Sequence, residues 1–354
     1  VCVISDMSLP EAKALPDPPT DGVSALEYLS NTQLASTSWD GCARIHHTED
    51  EEWSLKLCHA MESGPLLSLT STSETSIFTG GLDGSIRQLD VPTSKISVIG
   101  RHSGEPSKIA CSCLKRLIDD KDDNQIDGGH LLVSAGWHSQ LQIWDIRTSA
   151  AVATLDLPGK AFSMDVHKNR IVVATSAGRR LVFIDYRYGK AKVVLDRESS
   201  LKYQTRTVQF FPNGQGYALG SIEGRVAVEY LPPELQNQST TTTSVSKNYA
   251  FKCHRIQDTV YPVNAIVFCP SQDCSFATGG CDGTVVLWDG QHKKKLTTLP
   301  RMATSIAALA FTPNGKQLAI AASYTFEEGE KDHPRDDIFV RTILDSEVQP
   351  KANP

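Results

Sequence analysis

The chain lacks long hydrophobic runs, and no stretch approaches the roughly 18 apolar residues that a membrane-spanning helix needs. It also lacks a basic excess, since 35 Lys and Arg face 41 Asp and Glu, for a formal charge of -6. Proteins that bind nucleic acid through its phosphates usually carry the opposite balance. We therefore expect neither a membrane nor nucleic acid as a direct partner.

Regular metal-ligand spacing is missing as well. The 9 cysteines include Cys111 and Cys113, and also Cys269, Cys274 and Cys281, but neither set is spaced like a zinc site. We interpret them as reduced thiols of an intracellular protein. The chain also has no nucleophile motif, no carboxylate pair at a strand end and no Gly-rich loop before a helix. The sequence thus predicts a protein that is not an enzyme and binds no metal or cofactor.

Two segments have no apolar pattern. Ile118–Gly129 is acidic, but a calcium loop that begins at Asp120 would need Gly at 125 and Glu at 131. The chain has Gln125 and Leu131 there. Asn237–Lys247 is rich in Gln, Ser and Thr. We interpret both segments as solvated insertions.

One hairpin phrase recurs along the chain. In Phe276–Asp289, F-A-T-G-G-C-D-G-T-V-V-L-W-D, a Gly-rich turn separates two strand-like runs. The closing Trp-Asp is typical of blades in WD-repeat propellers, and the copies lie about 40–60 residues apart, near the blade period. The decayed copies are Ser36–Ile45, Phe78–Asp90, Ser134–Asp145, Thr175–Asp185 and Leu219–Tyr230.

A seventh, degenerate copy follows at Leu318–Tyr324 and Ile338–Ile343. The sequence therefore predicts an all-β fold, a single seven-bladed WD-repeat β-propeller with four strands per blade. Because every blade buries its faces against its neighbours, residues 21–345 are expected to form one domain. Residues 1–20 are predicted to be a leader whose segment Ala12–Leu15 closes the last blade, and 346–354 a tail. A disordered leader is the alternative.

The sixth copy has the fullest set of residues for hydrogen bonds within its own blade. His254 precedes its first strand, Asp282 lies in its turn and Trp288 ends its third strand. In WD-repeat blades such residues, with a Ser or Thr, form a buried hydrogen-bonded set. A catalytic role for His254 and Asp282 is disfavoured, because no nucleophile belongs to the pattern.

Three further features allow two interpretations each. Trp144–Arg147, W-D-I-R, resembles the box by which some propellers dock on cullin ligase adaptors, although Arg commonly follows a Trp-Asp pair. Arg179 and Arg180, in the fourth copy's turn, either bind phosphate or are solvated turn residues. Trp39, in the first turn, is either an exposed aromatic or packed between blades.

Five longer phrases carry a family resemblance: L-K-Y-Q-T-R, G-Y-A-L-G-S-I-E-G-R-V-A-V-E-Y, Y-A-F-K-C-H-R, Y-P-V-N-A-I and H-P-R-D-D-I-F-V-R. Together they resemble the mitotic spindle-checkpoint propeller of the Bub-three type, most specifically over Arg197–Arg341. The propeller of messenger-RNA export shares S-I-E-G-R-V-A and F-K-C-H-R. Tyr203 and the segment His333–Phe339 favour the checkpoint branch.

The resemblance implies a scaffold of the spindle assembly checkpoint, located in the nucleus and at kinetochores in mitosis. Its expected partners are a GLEBS-type segment of a checkpoint kinase or pseudokinase, phosphorylated Met-Glu-Leu-Thr-type repeats of a kinetochore scaffold, and the mitotic checkpoint complex. The alternatives are a messenger-RNA export propeller that binds a nuclear-pore GLEBS segment, or a substrate receptor of a cullin ubiquitin ligase.

Five positions match family residues linked to these peptides: Trp39, Trp137, Arg206, Arg225 and Lys252. The resemblance implies that the face bearing Trp39 and Arg206 holds the acidic GLEBS-type segment. It implies that Arg225 and Lys252 hold a phosphothreonine, with Trp137 close enough to pack the apolar residues of that peptide. An arginine fork suits carboxylate and phosphate alike.

Two alternatives concern these positions. Arg206 and Arg225 would instead form salt bridges between blades if their role were structural. Trp137 is followed by His138, where the family has Asp, which leaves the geometry of that turn open.

Overall fold

The computed structural model describes residues 10–48, 53–61, 64–102, 110–117, 130–235, 248–272 and 274–350. Outside these residues lie the two predicted insertions, Ile118–Gly129 and Asn237–Lys247. The calcium loop considered for the first of them therefore also lies outside the described residues. The described strands form seven four-stranded antiparallel sheets and one two-stranded hairpin. The predicted all-β, seven-bladed propeller is confirmed.

Blades one to three are built from strands that follow one another along the chain. After β1 (Lys13–Ala14) these are β2 (Val23–Tyr28), β3 (Gln33–Ser38), β4 (Cys42–His47) and β5 (Ser54–Ala60) in blade one, β6 (Leu66–Ser73), β7 (Ser76–Gly81), β8 (Ser85–Asp90) and β9 (Lys95–Arg101) in blade two, and β10 (Cys111–Leu117), β11 (Leu131–Gly136), β12 (Gln140–Asp145) and β13 (Ala150–Asp156) in blade three.

Blades four to seven continue the pattern. Their strands are β14 (Ala161–His167), β15 (Arg170–Thr175), β16 (Arg180–Arg187) and β17 (Lys190–Glu198) in blade four, β18 (Thr205–Phe210), β19 (Gly216–Ser221), β20 (Arg225–Tyr230) and β21 (Tyr249–Lys252) in blade five, the separate hairpin β22 (Arg255–Ile256) and β23 (Thr259–Val260), β24 (Val263–Phe268), β25 (Ser275–Gly280), β26 (Val285–Asp289) and β27 (Lys294–Thr298) in blade six, and β28 (Ile306–Phe311), β29 (Gln317–Ala322) and β30 (Asp337–Thr342) in blade seven.

Both ends of the chain build blade seven. Strand β1 pairs with β30, with Lys13 opposite Val340 and Ala14 opposite Phe339, so the strand lies within the predicted segment Ala12–Leu15. The first strands of neighbouring blades contact one another around the ring, and β28 of blade seven contacts β2 of blade one. The sheet of every blade is therefore flanked by two others, and the ring has no open side.

Apolar side chains fill the seams between blades. The structure contains seven clusters of buried apolar residues within its described part, and each cluster joins two adjacent blades. At the closing seam, Leu15 and Val23 pack with Ala319 and Val340. Burial on both faces explains why the second and third strands are rich in Val, Ile, Leu and Ala.

A short helix, α1 (Asp345–Val348), fastens the C-terminal segment to blade seven. Arg341 is 1% exposed, and its two Nη atoms donate to the Glu347 carboxylate at 2.8 and 3.0 Å. Val348 joins the core between blades six and seven, so the predicted tail 346–354 begins inside a packed helix. We find no helix with the length and apolar composition of a membrane span in the parts of the chain that the structure describes.

Candidate functional site

One face of the propeller carries the turns between the second and third strands of the blades, and we call it the turn face. Trp39–Gly41 and Trp137–Ser139 are two of these turns. In blade five, the start of the first strand also lies at the turn face, because Thr205 pairs with Ser221 at the end of the second strand. The end of the fourth strand lies there too, because Lys252 pairs with Arg225 at the start of the third. Antiparallel pairing therefore places all five predicted partner-binding residues at the turn face.

Blade six shows how the turn face is supported from below. His254 Nδ1 lies 2.9 Å from Asp282 Oδ1, and His254 Nε2 lies 2.8 Å from Thr278 Oγ1. Trp288 Nε1 donates to the same Thr278 hydroxyl at 2.9 Å. The predicted buried hydrogen-bonded set of blade six is confirmed, and its polar atoms bond to one another within the blade.

Trp39 is an exposed aromatic at the seam of blades one and seven. Its side chain is 41% exposed, and a Cβ at Gly22 would lie 3.5 Å from its indole ring. The neighbouring Asp40 accepts hydrogen bonds from Arg44 and from the Cys42 amide. Burial alone would raise the pKa of Asp40, but these bonds outweigh it and hold the pKa well below its usual range. Asp40, in the turn that presents Trp39, is thus ionised at physiological pH and paired with Arg44.

The turn after Trp137 is closed by a histidine. His102 Nδ1 lies 2.9 Å from His138 Nε2, and His102 Nε2 lies 2.6 Å from Ser134 Oγ. Trp144 Nε1 donates to the same hydroxyl at 2.8 Å. His138 therefore takes the place of the usual Asp, and Trp137, 40% exposed, is still presented on the turn face.

Arg206 lies near the central axis, at a bulge in the first strand of blade five. Thr205 and Thr207 pair with Ser221 and Gly220, so Arg206 is the extra residue. Its Nε donates to Asn264 Oδ1 of blade six at 3.1 Å. The alternative was a salt bridge between blades, but this interblade contact is a hydrogen bond to a neutral amide, so it does not cancel the charge of Arg206.

Arg225 and Lys252 lie directly opposite each other. They are Cα partners of the third and fourth strands of blade five. Lys252 is exposed, and Arg225 lies with its Nε 3.5 Å from Glu223 Oε2. The salt bridge of Arg225 is therefore within its own turn, and the expected bridge between blades is absent among the described residues.

Trp137 does not lie beside this pair. It belongs to blade three, and blade four separates it from Arg225. The expectation that Trp137 packs apolar residues of the phosphopeptide stays a prediction, and a peptide that contacts both Trp137 and the pair would have to span blade four. Exposed apolar side chains closer to the pair are Ile222, in the same turn, and Val260, which lies beside Gly224.

Sequence reasoning missed Arg255 and Glu223 as neighbours of the pair. Arg255 Nη2 donates to the Glu223 carbonyl oxygen at 2.9 Å. Arg255 follows Lys252 by three residues in the quoted phrase Y-A-F-K-C-H-R, so the basic spacing was visible. Its closeness to Glu223 depends on the hairpin of β22 and β23, which has no repeat signal.

The other arginine motifs have partners within their own blade. Arg179 pairs with Glu198, and Arg180 Nε lies 2.6 Å from Asp196 Oδ1. Arg147 Nη2 lies 2.7 Å from Asp145 Oδ2. The arginines of the W-D-x-R segment and of the blade-four turn therefore bind acidic residues within the fold.

Comparison with known proteins identifies the family. A profile described as WD domain, G-beta repeat, matches residues 246–289, which include most of blade six. The chain is 38% identical over 339 residues to mitotic checkpoint protein bub3 of Dictyostelium discoideum, with 94% of each chain covered. It is 37% identical to mitotic checkpoint protein BUB3.1 of Arabidopsis thaliana, over 96% of this chain and 95% of the relative. The chain belongs to the Bub3 family of WD-repeat propellers.

This Bub3-family chain also resembles an export protein. It is 31% identical to the poly(A)+ RNA export protein of Schizosaccharomyces pombe, over 88% of this chain and 84% of the relative. The two checkpoint relatives above are more similar in both identity and coverage. The predicted checkpoint resemblance is confirmed, and these relatives support a role in the mitotic checkpoint.

Proposed function

We propose that this Bub3-family chain is a non-enzymatic scaffold of the spindle assembly checkpoint. In this proposal its turn face holds a GLEBS-type acidic segment of a checkpoint kinase or pseudokinase and a phosphorylated Met-Glu-Leu-Thr-type repeat of a kinetochore scaffold. It would act in the nucleus and, in mitosis, at the kinetochore, where it recruits checkpoint proteins, including the mitotic checkpoint complex.

The observation that carries the proposal is the direct pairing of Arg225 and Lys252 across β20 and β21. A phosphothreonine carries about -1.5 to -2 charge at neutral pH, which one cation does not balance. The planar fork of Arg225 is suited to two phosphate oxygens, and the Lys252 ammonium adds a mobile point charge. Both side chains reach solvent at the turn face, so a peptide can meet them without any rearrangement of the blade.

The acidic segment is assigned to the path between Trp39 and Arg206. Arg206 has a neutral hydrogen-bond partner and so retains its charge for a carboxylate. Trp39 offers a large, rigid and half-exposed ring, which is the kind of residue that dominates binding energy in interfaces. Trp39 belongs to blade one and Arg206 to blade five, so blades six and seven lie between them on one side of the ring. In this proposal a segment that contacts both residues crosses the mouth of the central channel.

Calorimetry tests the phosphopeptide site. A Met-Glu-Leu-Thr-type peptide with phosphothreonine should bind the wild-type chain, and the unmodified peptide should bind far more weakly. The double variant Arg225→Ala, Lys252→Ala should lose the phosphopeptide and keep the GLEBS-type segment. Equal affinity of the wild-type chain for the two peptides would rule out a phosphate site.

The export relative motivates a second candidate, in which the acidic partner is a nuclear-pore GLEBS segment. The two candidates use the same face and differ in the protein that supplies the segment. Affinity capture from mitotic cells separates them, because recovery of a checkpoint kinase supports the first and recovery of a pore protein alone supports the second.

A further inference from the structure

We infer that the phosphate site of the turn face has two more members, a third cation at Arg255 and a built-in counter-ion at Glu223. This inference rests on the function proposed above, since it concerns the same site. It assigns the site to a phosphomonoester dianion and explains why a carboxylate side chain would be a poorer ligand.

Arg255 is held beside the pair by the backbone. It begins the hairpin of β22 and β23, in which it pairs with Val260. The preceding residue, His254, is buried, has a φ of 47° and is fixed by Asp282. The amide of Cys253 donates to the Gly224 carbonyl oxygen at 3.0 Å. The hairpin is thus attached at its base to both blade five and blade six, and Arg255 is presented at their seam.

The guanidinium of Arg255 lies at the turn that carries Glu223. One of its nitrogens, Nη2, is 2.9 Å from the Glu223 carbonyl oxygen. This bond orients the group while leaving its other N–H donors for a ligand. Arg225 leaves the same turn on the adjoining strand, so both guanidinium groups flank Glu223.

Glu223 orients Arg225 through one particular atom. The carboxylate lies 3.5 Å from Nε of Arg225, and the side chain of Glu223 is only 16% exposed, against 35% for Arg225. A contact at Nε leaves the two Nη groups, which form the outer end of the fork, for phosphate oxygens. Glu223 is therefore a positioning residue that also subtracts one charge from the site.

The charges of the site match a phosphate dianion. Arg225, Lys252 and Arg255 are cationic and Glu223 is anionic, which leaves two positive charges unbalanced. Phosphothreonine carries about -1.5 to -2 at neutral pH and balances them, whereas a Glu or Asp side chain supplies only half of that charge. The site consequently favours a phosphorylated residue over an acidic one at the same peptide position.

Calorimetry with two peptides at two salt concentrations tests the inference. The peptides carry either phosphothreonine or Glu at the same position of a Met-Glu-Leu-Thr-type sequence. We expect Arg255→Ala to weaken the phosphopeptide by about two- to fivefold at low salt, and Glu223→Gln to strengthen it by a similar factor. Both changes should be smaller for the Glu peptide and should shrink as salt rises. The matched control is Arg187→Ala, which removes an exposed arginine paired with Asp185 at the opposite face and should change neither affinity.

A second variant separates charge from structure. Arg255→Lys keeps the positive charge and loses the planar fork, so it should recover most of the affinity. A purely structural role for Arg255 would make the Lys variant behave like the Ala variant toward both peptides. If Arg225→Ala, Lys252→Ala abolishes binding while Arg255→Ala and Glu223→Gln bind as wild type, this inference is wrong and the proposed function stands. Normal binding by the double variant would instead overturn the proposed function itself.

Discussion

His102 Nδ1 and His138 Nε2 lie 2.9 Å apart, so a pair of imidazoles closes the buried set of blade three. Blade six fills the same two positions with His254 and Asp282, again at 2.9 Å. A hydrogen bond to a carboxylate is stronger than one between two neutral rings. The contact is thus stronger in blade six than in blade three. A substitution in blade three that restores the stronger contact should therefore change the stability of the protein.

Restoring the carboxylate should stabilise the protein. His138→Asp gives His102 a charged acceptor, and we expect the free energy of unfolding to rise by about 1 kcal/mol. The melting temperature should increase by about 1 °C, as followed by circular dichroism. His130→Asp, an exchange of the same type before β11, is the control and should not raise it. A melting temperature equal to or below that of the wild type would contradict the structural role given to His138.

Stability should fall in mild acid because of this pair. Burial, with a smaller contribution from the neighbouring His138, lowers the pKa of His102 to about 3. Burial also lowers the pKa of His138. Unfolded histidines titrate near about 6.5, so below that pH the unfolded chain binds protons that the folded chain does not. The stabilisation is therefore complete above about pH 6.5 and decreases as the pH falls toward the folded value.

Melting at about pH 7.5 and about pH 5.5 measures this dependence, and the His138→Asp variant isolates it. A carboxylate beside His102 favours the protonated ring, which makes its pKa less depressed. The loss of melting temperature between the two pH values should thus be larger in the wild type than in the variant. Identical losses would show that the imidazole pair does not govern the acid response.

Reversing the charge of Arg206 should abolish binding of the acidic segment. In Arg206→Glu a carboxylate would face the carboxylates of a GLEBS-type peptide, and like charges across an interface oppose association. Arg206 is only partly buried and its bond to Asn264 is to a neutral group, so loss of that bond should leave the fold intact. Calorimetry should show no binding of the segment while the phosphopeptide still binds. Retained affinity for the segment would remove Arg206 from the site.

Removing the partner of Arg341 should destabilise the whole ring. Glu347→Ala leaves a guanidinium that is 1% exposed without its carboxylate, a change that typically costs about 3–5 kcal/mol. Glu328→Ala is the matched control, since Glu328 pairs with Lys331 on the surface and should contribute little. Urea unfolding of the two variants measures the difference. Similar midpoints for both would mean that the C-terminal helix is not part of the cooperative fold.

Much of the fold could be predicted because it repeats. Each copy of the hairpin phrase became the second and third strands of a blade, and the residues of the buried set in blade six occupy the positions that the pattern assigns. The closing strand at Lys13–Ala14 was predictable from the need of the last blade for a fourth strand. These features follow from local sequence and from the geometry of a closed ring.

The details of the site were less predictable because they depend on contacts between copies. The bond from Arg206 to Asn264 joins residues 58 positions apart, which lie at equivalent bulges in the first strands of blades five and six, and the repeat does not predict that their side chains bond. Arg255 approaches Glu223 through a hairpin that, in the described part of the chain, has no counterpart in the other blades. A family match assigned Trp137 to a face without giving its angular position on the ring, so the blade that separates it from Arg225 was not predicted.

The union of the two chain ends in blade seven has a consequence for synthesis on the ribosome. Arg341 donates to the Pro10 carbonyl oxygen at 2.9 Å, across 331 positions of sequence. The strand Lys13–Ala14 leaves the ribosome long before its hydrogen-bonding partner, β30, is translated. Six blades can therefore assemble while the ring is still an open arc with two unpaired seams, and such surfaces favour aggregation. Closure of the ring has to await the synthesis of blade seven, and a nascent chain of this fold depends on protection until then.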